Sequence, residues 1–160
     1  MMKNNTRHRL WFKLFKQILG DNVIGVDISL NSKADIIADA HALPFRSKAF
    51  ESAISVETIE HLENPEKFIE EAKRVTKKHI AISTVNSYTG KHDERHVREF
   101  NTFSLRKLLK KHGVKIMDYG FGGIGGKKLG WVVRRLRFLQ FILPWWLWCE
   151  WICVSGVVDR

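Results

Sequence analysis

The sequence predicts an α/β fold, with a mostly parallel sheet and helices on both of its faces. Short runs of β-branched and apolar residues alternate with helical patterns along the chain, which is typical of folds where a crossover helix follows each strand. The first such run, residues 22–29, is apolar on both faces, as a strand buried in a parallel sheet requires. The length of 160 residues suits one domain. We therefore predict a single domain over residues 1–160.

The first part of the chain predicts one helix and three strands. Apolar residues from Leu10 to Leu19 recur at helical spacing, which predicts an amphipathic helix within residues 1–20. The run 22–29 is the first strand, and two more are predicted at residues 34–38 and 49–56. An acidic residue stands in or just after each of these strands: Asp27, Asp39 and Glu57.

The second part predicts two helices and three further strands. Asn64 followed by Pro65 is typical of a helix start, because asparagine caps the first turn and proline suits its first position. Asn101 or Thr102 is the expected cap of the next helix. Its side chains predicted to pack inward are Phe103, Leu105, Leu108 and Leu109, and Gly113 ends it. The strands are predicted at residues 79–85, 114–119 and 151–158.

The chain is strongly basic and contains few cysteines. It carries 27 Lys and Arg against 17 Asp and Glu, a formal charge of +10. Such a charge favours an anionic partner: a membrane surface, a nucleic acid or a phosphorylated substrate. Cys149 and Cys153 are too few for a disulfide framework or a four-thiolate zinc site and have no nearby histidine, so no metal site is predicted. Together with the lack of a signal-peptide pattern, this predicts a cytoplasmic protein.

Residues 127–149 differ in composition from the rest of the chain. Five of the six tryptophans lie between Trp131 and Trp151, and basic residues precede them. Tryptophan favours the lipid headgroup zone and cations favour anionic lipid, so one hypothesis places residues 127–151 on a membrane surface. The alternative is that these aromatic side chains cover the sheet. Nucleic acid binding ranks lower, because the basic residues accompany buried-type aromatics rather than a stacking platform.

The acidic residues at strand ends are the best candidates for a ligand site. Ligands of open parallel sheets bind at the carboxyl ends of the strands, where loops and helix starts meet. Asp27 at the first strand end is suited to accept hydrogen bonds from both hydroxyls of a ribose, and Asp39 at the next from an adenine amino group. Short acidic side chains also cap helices, so either residue alone has a structural alternative.

Several linked motifs follow one another along the chain: VIGVDIS, ADAHALPF, FESAIS and EHL, at residues 23–29, 38–45, 50–55 and 60–62. Together with segments 71–75 and 96–100, they resemble the motifs of the type 11 class I S-adenosylmethionine-dependent methyltransferases. Their order and spacing match the family over roughly residues 22–120. The resemblance implies a Rossmann-like class I methyltransferase fold, S-adenosylmethionine as cofactor, and methyl transfer to a small-molecule or membrane-associated acceptor.

The resemblance also implies roles for individual residues. Those implied for the cofactor are Asp27, Ile28, Asp39, Ala40, Ser55, Val56 and Glu57. The acceptor is expected beside His61 and the loop of His92 to His96. A base is needed only for a hydroxyl or acidic carbon acceptor, and His61 or His96 is the candidate, although histidines in such loops are more often structural.

The sequence departs from the family pattern in two places. Glu51 follows Phe50 where the family usually has aspartate. No glycine-rich strand and loop precede Val23, and this predicts an N-terminally truncated fold. It also leads to a second hypothesis, in which the chain is a catalytically inactive module with a membrane-surface or binding role. A glycine run at residues 120–125 also fits the cofactor-loop pattern, as a permuted loop or, alternatively, as a flexible hinge.

Overall fold

The computed structural model describes residue 17 and residues 20–87, 94–122 and 151–158. The strands are β1 (Val26–Asp27), β2 (Ile36–Ile37), β3 (Phe50–Val56), β4 (Thr76–Val85), β5 (Val114–Gly122) and β6 (Trp151–Val158). The helices are α1 (Pro65–Val75) and α2 (Thr102–Lys111), with single 3-10 turns at Gly20–Asn22 and Ile59–His61.

The described strands form two sheets. β1 pairs with β2 in one sheet, and the other has the order β3-β4-β6-β5. The pairs β1/β2 and β3/β4 are parallel, whereas β6 runs antiparallel to both of its neighbours. The predicted α/β class is therefore confirmed, and the final strand occupies residues 151–158 as predicted.

β1 and β2 are shorter than the sequence suggested. Only two residues of each form strand, against predictions of residues 22–29 and 34–38. Aspartate side chains accept hydrogen bonds from the backbone next to both ends of β1. The Gly25 N–H donates to Asp35 Oδ2 and the Ser29 N–H donates to Asp27 Oδ1, both at 2.8 Å. Such local bonds compete with ladder pairing, which explains why the strand is so short.

Both helices begin where the sequence predicts. The Asn64 side chain accepts a hydrogen bond from the backbone of Lys67 at the start of α1. Asn101 caps α2 in a capping box with Ser104, each side chain accepting from the other's backbone N–H. The prediction that Phe103 packs inward is wrong, since its side chain is 64% exposed.

The position of Phe103 follows from helix geometry. Leu105 and Leu109, four residues apart, define the buried stripe of α2 and are almost completely buried. Successive residues turn by about 100° around a helix axis, so a residue two positions before Leu105 lies on the opposite side. Gly113 then ends the helix in the left-handed region, with φ of +71°, a conformation that glycine adopts without strain.

One apolar core joins the helices to the four-stranded sheet. Side chains from α1 and α2 pack on the inner faces of β4 and β6. Its buried members are Ile59, Phe68, Ile69, Ala72, Ile80, Ile82, Phe100, Leu105, Leu109, Val114, Ile152, Val154 and Val158. This core fixes β4 and the turn after β3, and with them the residues of the candidate site.

Several predicted features lie outside the described residues. They are the body of the helix within residues 1–20, the basic and tryptophan-rich segment 127–149, and His92. The first part of the glycine run is described: Gly120 and Gly122 belong to β5 and pair with β6. These residues therefore form strand, which contradicts both the alternative of a permuted loop and that of a hinge for this part of the run. Within the described ranges, neither helix has the length and apolar character needed to cross a bilayer.

Candidate functional site

The carboxyl ends of β1 and β2 bring two predicted site residues close together in the fold. Asp27 is the last residue of β1, and its carbonyl accepts a hydrogen bond of 3.0 Å from the backbone of Ala38. Asp39 follows Ala38 directly. The two carboxylates therefore leave neighbouring parallel strands at the same end of the small sheet, which is where such sheets bind ligands.

Each of these carboxylates uses one oxygen locally. Asp27 Oδ1 accepts from the Ser29 N–H, and Asp39 Oδ1 accepts from the His41 N–H and lies 2.8 Å from His41 Nδ1. The backbone and side-chain bonds from His41 lower the pKa of Asp39. Among the described residues neither Oδ2 has a hydrogen-bond partner. Both residues thus offer an acceptor oxygen from a side chain whose rotamer is already held.

The loop that carries Asp39 is clamped to α1 by an ion pair. Arg74 donates to Glu71 at 2.7 Å and to the carbonyls of Leu43 and Phe45 at 2.9 and 2.6 Å. Glu71 Oε2 in turn accepts from the Leu43 N–H at 2.9 Å. The hydrogen bond from Arg74 lowers the pKa of Glu71. Sequence reasoning missed this clamp, although an acid and an arginine three residues apart on a helix are a recognisable signal.

The carboxyl end of β3 holds two buried polar atoms with no partner among the described residues. They are Ser55 Oγ and Glu57 Oε1. Glu57 is 8% exposed and has a φ of +48°, a backbone conformation that favours glycine. Its N–H donates to the Ser83 carbonyl at 3.0 Å, which ties this strained turn to β4. Strained backbone and orphaned polar groups concentrate at functional sites.

The remaining predicted cofactor residues occupy different surroundings. Ile28 directly follows β1 and is 70% exposed. Ala40 is partly buried against the core of the four-stranded sheet. Val56 ends β3 between Ser55 and Glu57 and is partly buried. Their roles stay predictions.

The two predicted acceptor-side histidines meet at a buried glutamate. The rings of His61 and His96 lie 5.0 Å apart, edge to face. Glu60 is 1% exposed, and its Oε2 accepts from the Thr84 hydroxyl at 2.8 Å. One ligand atom from each of Glu60, His61 and His96 lies within 4.8 Å of the others. Burial raises the pKa of Glu60. Sequence reasoning singled out the histidines but missed Glu60 as their partner.

The fold is the Rossmann-like fold of the class I methyltransferases. A SAM-dependent methyltransferase from Archaeoglobus fulgidus superposes with a TM-score of 0.65 at 17% identity, over 92% of this chain and 80% of that one. One from Mesorhizobium loti gives 0.60 at 14% identity, over 92% and 85%. The cyclase SpnF gives 0.53 at 16% identity, over 78% and 56%. At these identities the likeness is one of fold.

The sequence comparison identifies the family within that class. Residues 9–82 match the family model described as a methyltransferase domain, type 11. This match confirms the predicted resemblance to that family, and together with the solved structures it confirms the Rossmann-like fold class and S-adenosylmethionine as the cofactor of the proteins that the chain resembles. A search of curated proteins finds no match. The chain spans just over half the length of SpnF, 56%.

Proposed function

We propose that the chain binds S-adenosylmethionine and transfers its methyl group to a small-molecule or membrane-associated acceptor. The observation that carries the proposal is the pair of buried polar atoms at the end of β3, Ser55 Oγ and Glu57 Oε1, which have no partner among the described residues. Buried polar groups are almost always hydrogen-bonded, so these two atoms point to a polar ligand at a strand end.

The residues present fit the chemical groups of this cofactor. Asp27 retains a carboxylate oxygen for ribose hydroxyls, and Asp39 retains one for an amino group on the base. Glu57 offers a carboxyl oxygen, and Ser55 a hydroxyl, for the charged amino-acid end. When bound, the cofactor supplies a methyl group on an already activated sulfonium. The chain's residues then hold and orient the reactants and exclude water.

The acceptor side is assigned to the neighbourhood of His61 and His96. Their rings are in contact and partly buried, and either is the candidate base for a hydroxyl or acidic carbon acceptor. His61 is positioned by the Arg95 carbonyl, 3.1 Å from its Nδ1. An amine or thiolate acceptor requires no such base.

Isothermal titration with S-adenosylmethionine and S-adenosylhomocysteine tests the proposal. We expect micromolar affinity, weakened at least about 10-fold by Asp27→Asn, because a hydrogen bond to a charged group contributes about 1.5–3 kcal/mol. Asp118→Asn is the matched control, since this carboxylate is exposed on β5. Absence of binding at millimolar ligand, or equal weakening by both substitutions, would contradict the proposal.

A second function is favoured by the strand order. Among the described strands, none pairs with the second edge of β1 or of β3, so the two sheets are not joined by hydrogen bonds between strands. A nucleoside site built across such a division is less supported than one on a continuous sheet. This division of the described strands favours a catalytically inactive module with a binding or membrane-surface role.

The membrane-surface role has its own test. It is supported by the net charge of +10 and the basic, tryptophan-rich composition of residues 127–149. We expect the full chain to sediment with vesicles that contain anionic lipid, and a chain lacking residues 127–149 to remain in solution. Neutral vesicles are the control. Equal sedimentation of the two chains with anionic vesicles would exclude this role for the segment.

A further inference from the structure

We propose that Glu60, His61 and His96 form a binding site for a divalent transition-metal ion, with Zn²⁺ as the ion that matches the donor set best. One ligand atom from each residue lies within 4.8 Å of the other two. Ligands of a tetrahedral zinc ion are about 3.4 Å apart, from bond lengths of about 2.1 Å. Closing the set on an ion therefore requires movements of about 1 Å, and both histidines are only partly buried.

The buried carboxylate is the observation that points to a ligand. Glu60 is 1% exposed, and its Oε1 has no hydrogen-bond partner among the described residues. The other oxygen, Oε2, accepts from the Thr84 hydroxyl, which is itself completely buried. A buried carboxylate oxygen without a partner is costly. A cation bound between Glu60 and the two histidines provides that partner.

Hydrogen bonds beyond the three side chains hold the set together. His61 Nδ1 lies 3.1 Å from the Arg95 carbonyl, which can only accept, so the neutral ring carries its proton on Nδ1 and its lone pair on Nε2. Metal-bound histidines commonly donate their second N–H to a backbone carbonyl in this way. This bond orients the His61 ring before any ion arrives.

The backbone on the other side of His96 is anchored as well. The Glu60 carbonyl accepts from the Val97 N–H at 2.9 Å and from the Arg98 N–H at 3.2 Å. Residues 95 and 97 are thus both bound to the turn that carries Glu60 and His61. The segment with His96 is distant in sequence, yet the fold holds it against its two partners.

The donor types select the ion. Mg²⁺ and Ca²⁺ prefer sites made of oxygen ligands only, whereas imidazole nitrogen suits zinc and its neighbours. Two histidines and one carboxylate leave a fourth position of the tetrahedron for water or another ligand. The inference does not depend on methyl transfer. It does use the lone pairs of both histidines to bind the ion. While the ion is bound, His61 and His96 are therefore not bases for a methyl acceptor.

Metal titration of the full chain without an affinity tag tests the site. The protein is treated with EDTA, dialysed and titrated with Zn²⁺ against a chelator of known affinity. We expect one ion per chain with micromolar or tighter affinity, and a higher melting temperature with Zn²⁺. Co²⁺ in the same site should give the visible absorption of a four- or five-coordinate ion with imidazole ligands.

Two histidine variants locate the ion. His96→Ala should weaken Zn²⁺ binding by more than about 100-fold, beyond the effect of losing an outer hydrogen-bond partner. His79→Ala, at an exposed imidazole on β4, is the matched control and should bind as the unaltered chain does. His96→Ala is the deciding variant because residue 96 lies on a loop and is only partly buried, so its replacement should leave the fold intact. Circular dichroism verifies that the variant protein folds.

Three results would overturn the assignment. The first is an unaltered chain that binds no stoichiometric Zn²⁺ at micromolar concentration. The second is a folded His96→Ala chain with unchanged affinity. The third is an equal loss of affinity in the His79→Ala control, which would place the ion elsewhere.

Discussion

Replacing Thr84 by valine tests how much the buried hydrogen bond to Glu60 stabilises the fold. Valine has nearly the shape of threonine, so Thr84→Val removes the hydroxyl without opening a cavity. Both partners are buried, Thr84 at 0% and Glu60 at 1% exposure, and the bond is 2.8 Å long. The substitution therefore removes the Thr84 hydrogen bond from a buried carboxylate.

The expected cost follows from the type of bond. A hydrogen bond to a charged group contributes about 1.5–3 kcal/mol, so we expect Thr84→Val to lower the free energy of unfolding by about 2 kcal/mol. With a urea dependence of about 2 kcal/mol per molar, the midpoint should fall by about 1 M. The measurement is urea denaturation in EDTA, which removes any bound metal.

Two further variants separate the bond from its surroundings. Thr84→Ser keeps the hydroxyl and loses one methyl group, which costs about 1 kcal/mol. In a double-mutant cycle with Glu60→Gln, we expect a coupling energy of about 1 kcal/mol, because the neutral amide accepts a weaker bond. A Thr84→Val chain as stable as the unaltered one, or more stable than Thr84→Ser, would refute the reasoning.

Three other substitutions test the fold around the site. Gly156→Ala places a Cβ 2.5 Å from Val114 Cγ1 and 2.8 Å from a backbone carbonyl, so overpacking should lower the free energy of unfolding by about 1–3 kcal/mol, and no change in urea denaturation would contradict this. Asn101→Ala removes the capping box of α2 and should cost about 1 kcal/mol, whereas Asn101→Asp should restore the cap. Glu71→Gln tests pH dependence: Arg74 lowers the pKa of Glu71 below its usual 4.5, so its stabilising effect is complete above about that pH and is lost as pH falls through the lowered pKa. Acid denaturation should thus destabilise the unaltered chain more than Glu71→Gln, and parallel acid transitions would contradict the ion pair.

Local signals in the sequence predicted the helix starts and most strands. Asn64 with Pro65, and Asn101 three residues before Ser104, describe caps whose hydrogen bonds need only a few neighbouring residues. The last strand was predicted from a short apolar run alone, residues 151–158. The inward position of Phe103 failed for a different reason: hydrophobicity does not tell which side of a short helix the core covers.

The candidate cofactor residues were accessible to sequence reasoning because they follow strands. Asp27 and Asp39 stand at strand ends by pattern alone, and the parallel pairing of β1 with β2 puts them at one edge of the small sheet. The clamp of Glu71 and Arg74 on the loop after β2 was not predicted, because it joins groups about 30 residues apart. Its bonds go to backbone carbonyls, which leave no trace in residue types.

The sequence by itself determined the α/β class, the family motifs and the acidic strand ends, because these depend on residue type and short spacing. Only the tertiary structure decided that Glu60, His61 and His96 share one site, since 35 positions separate the two histidines. Packing of the 3-10 turn on β4 buried the carboxylate, and backbone hydrogen bonds from residues 97 and 98 brought the second histidine to it. Burial and long-range contact are properties of the folded chain, and they determine which groups can act together.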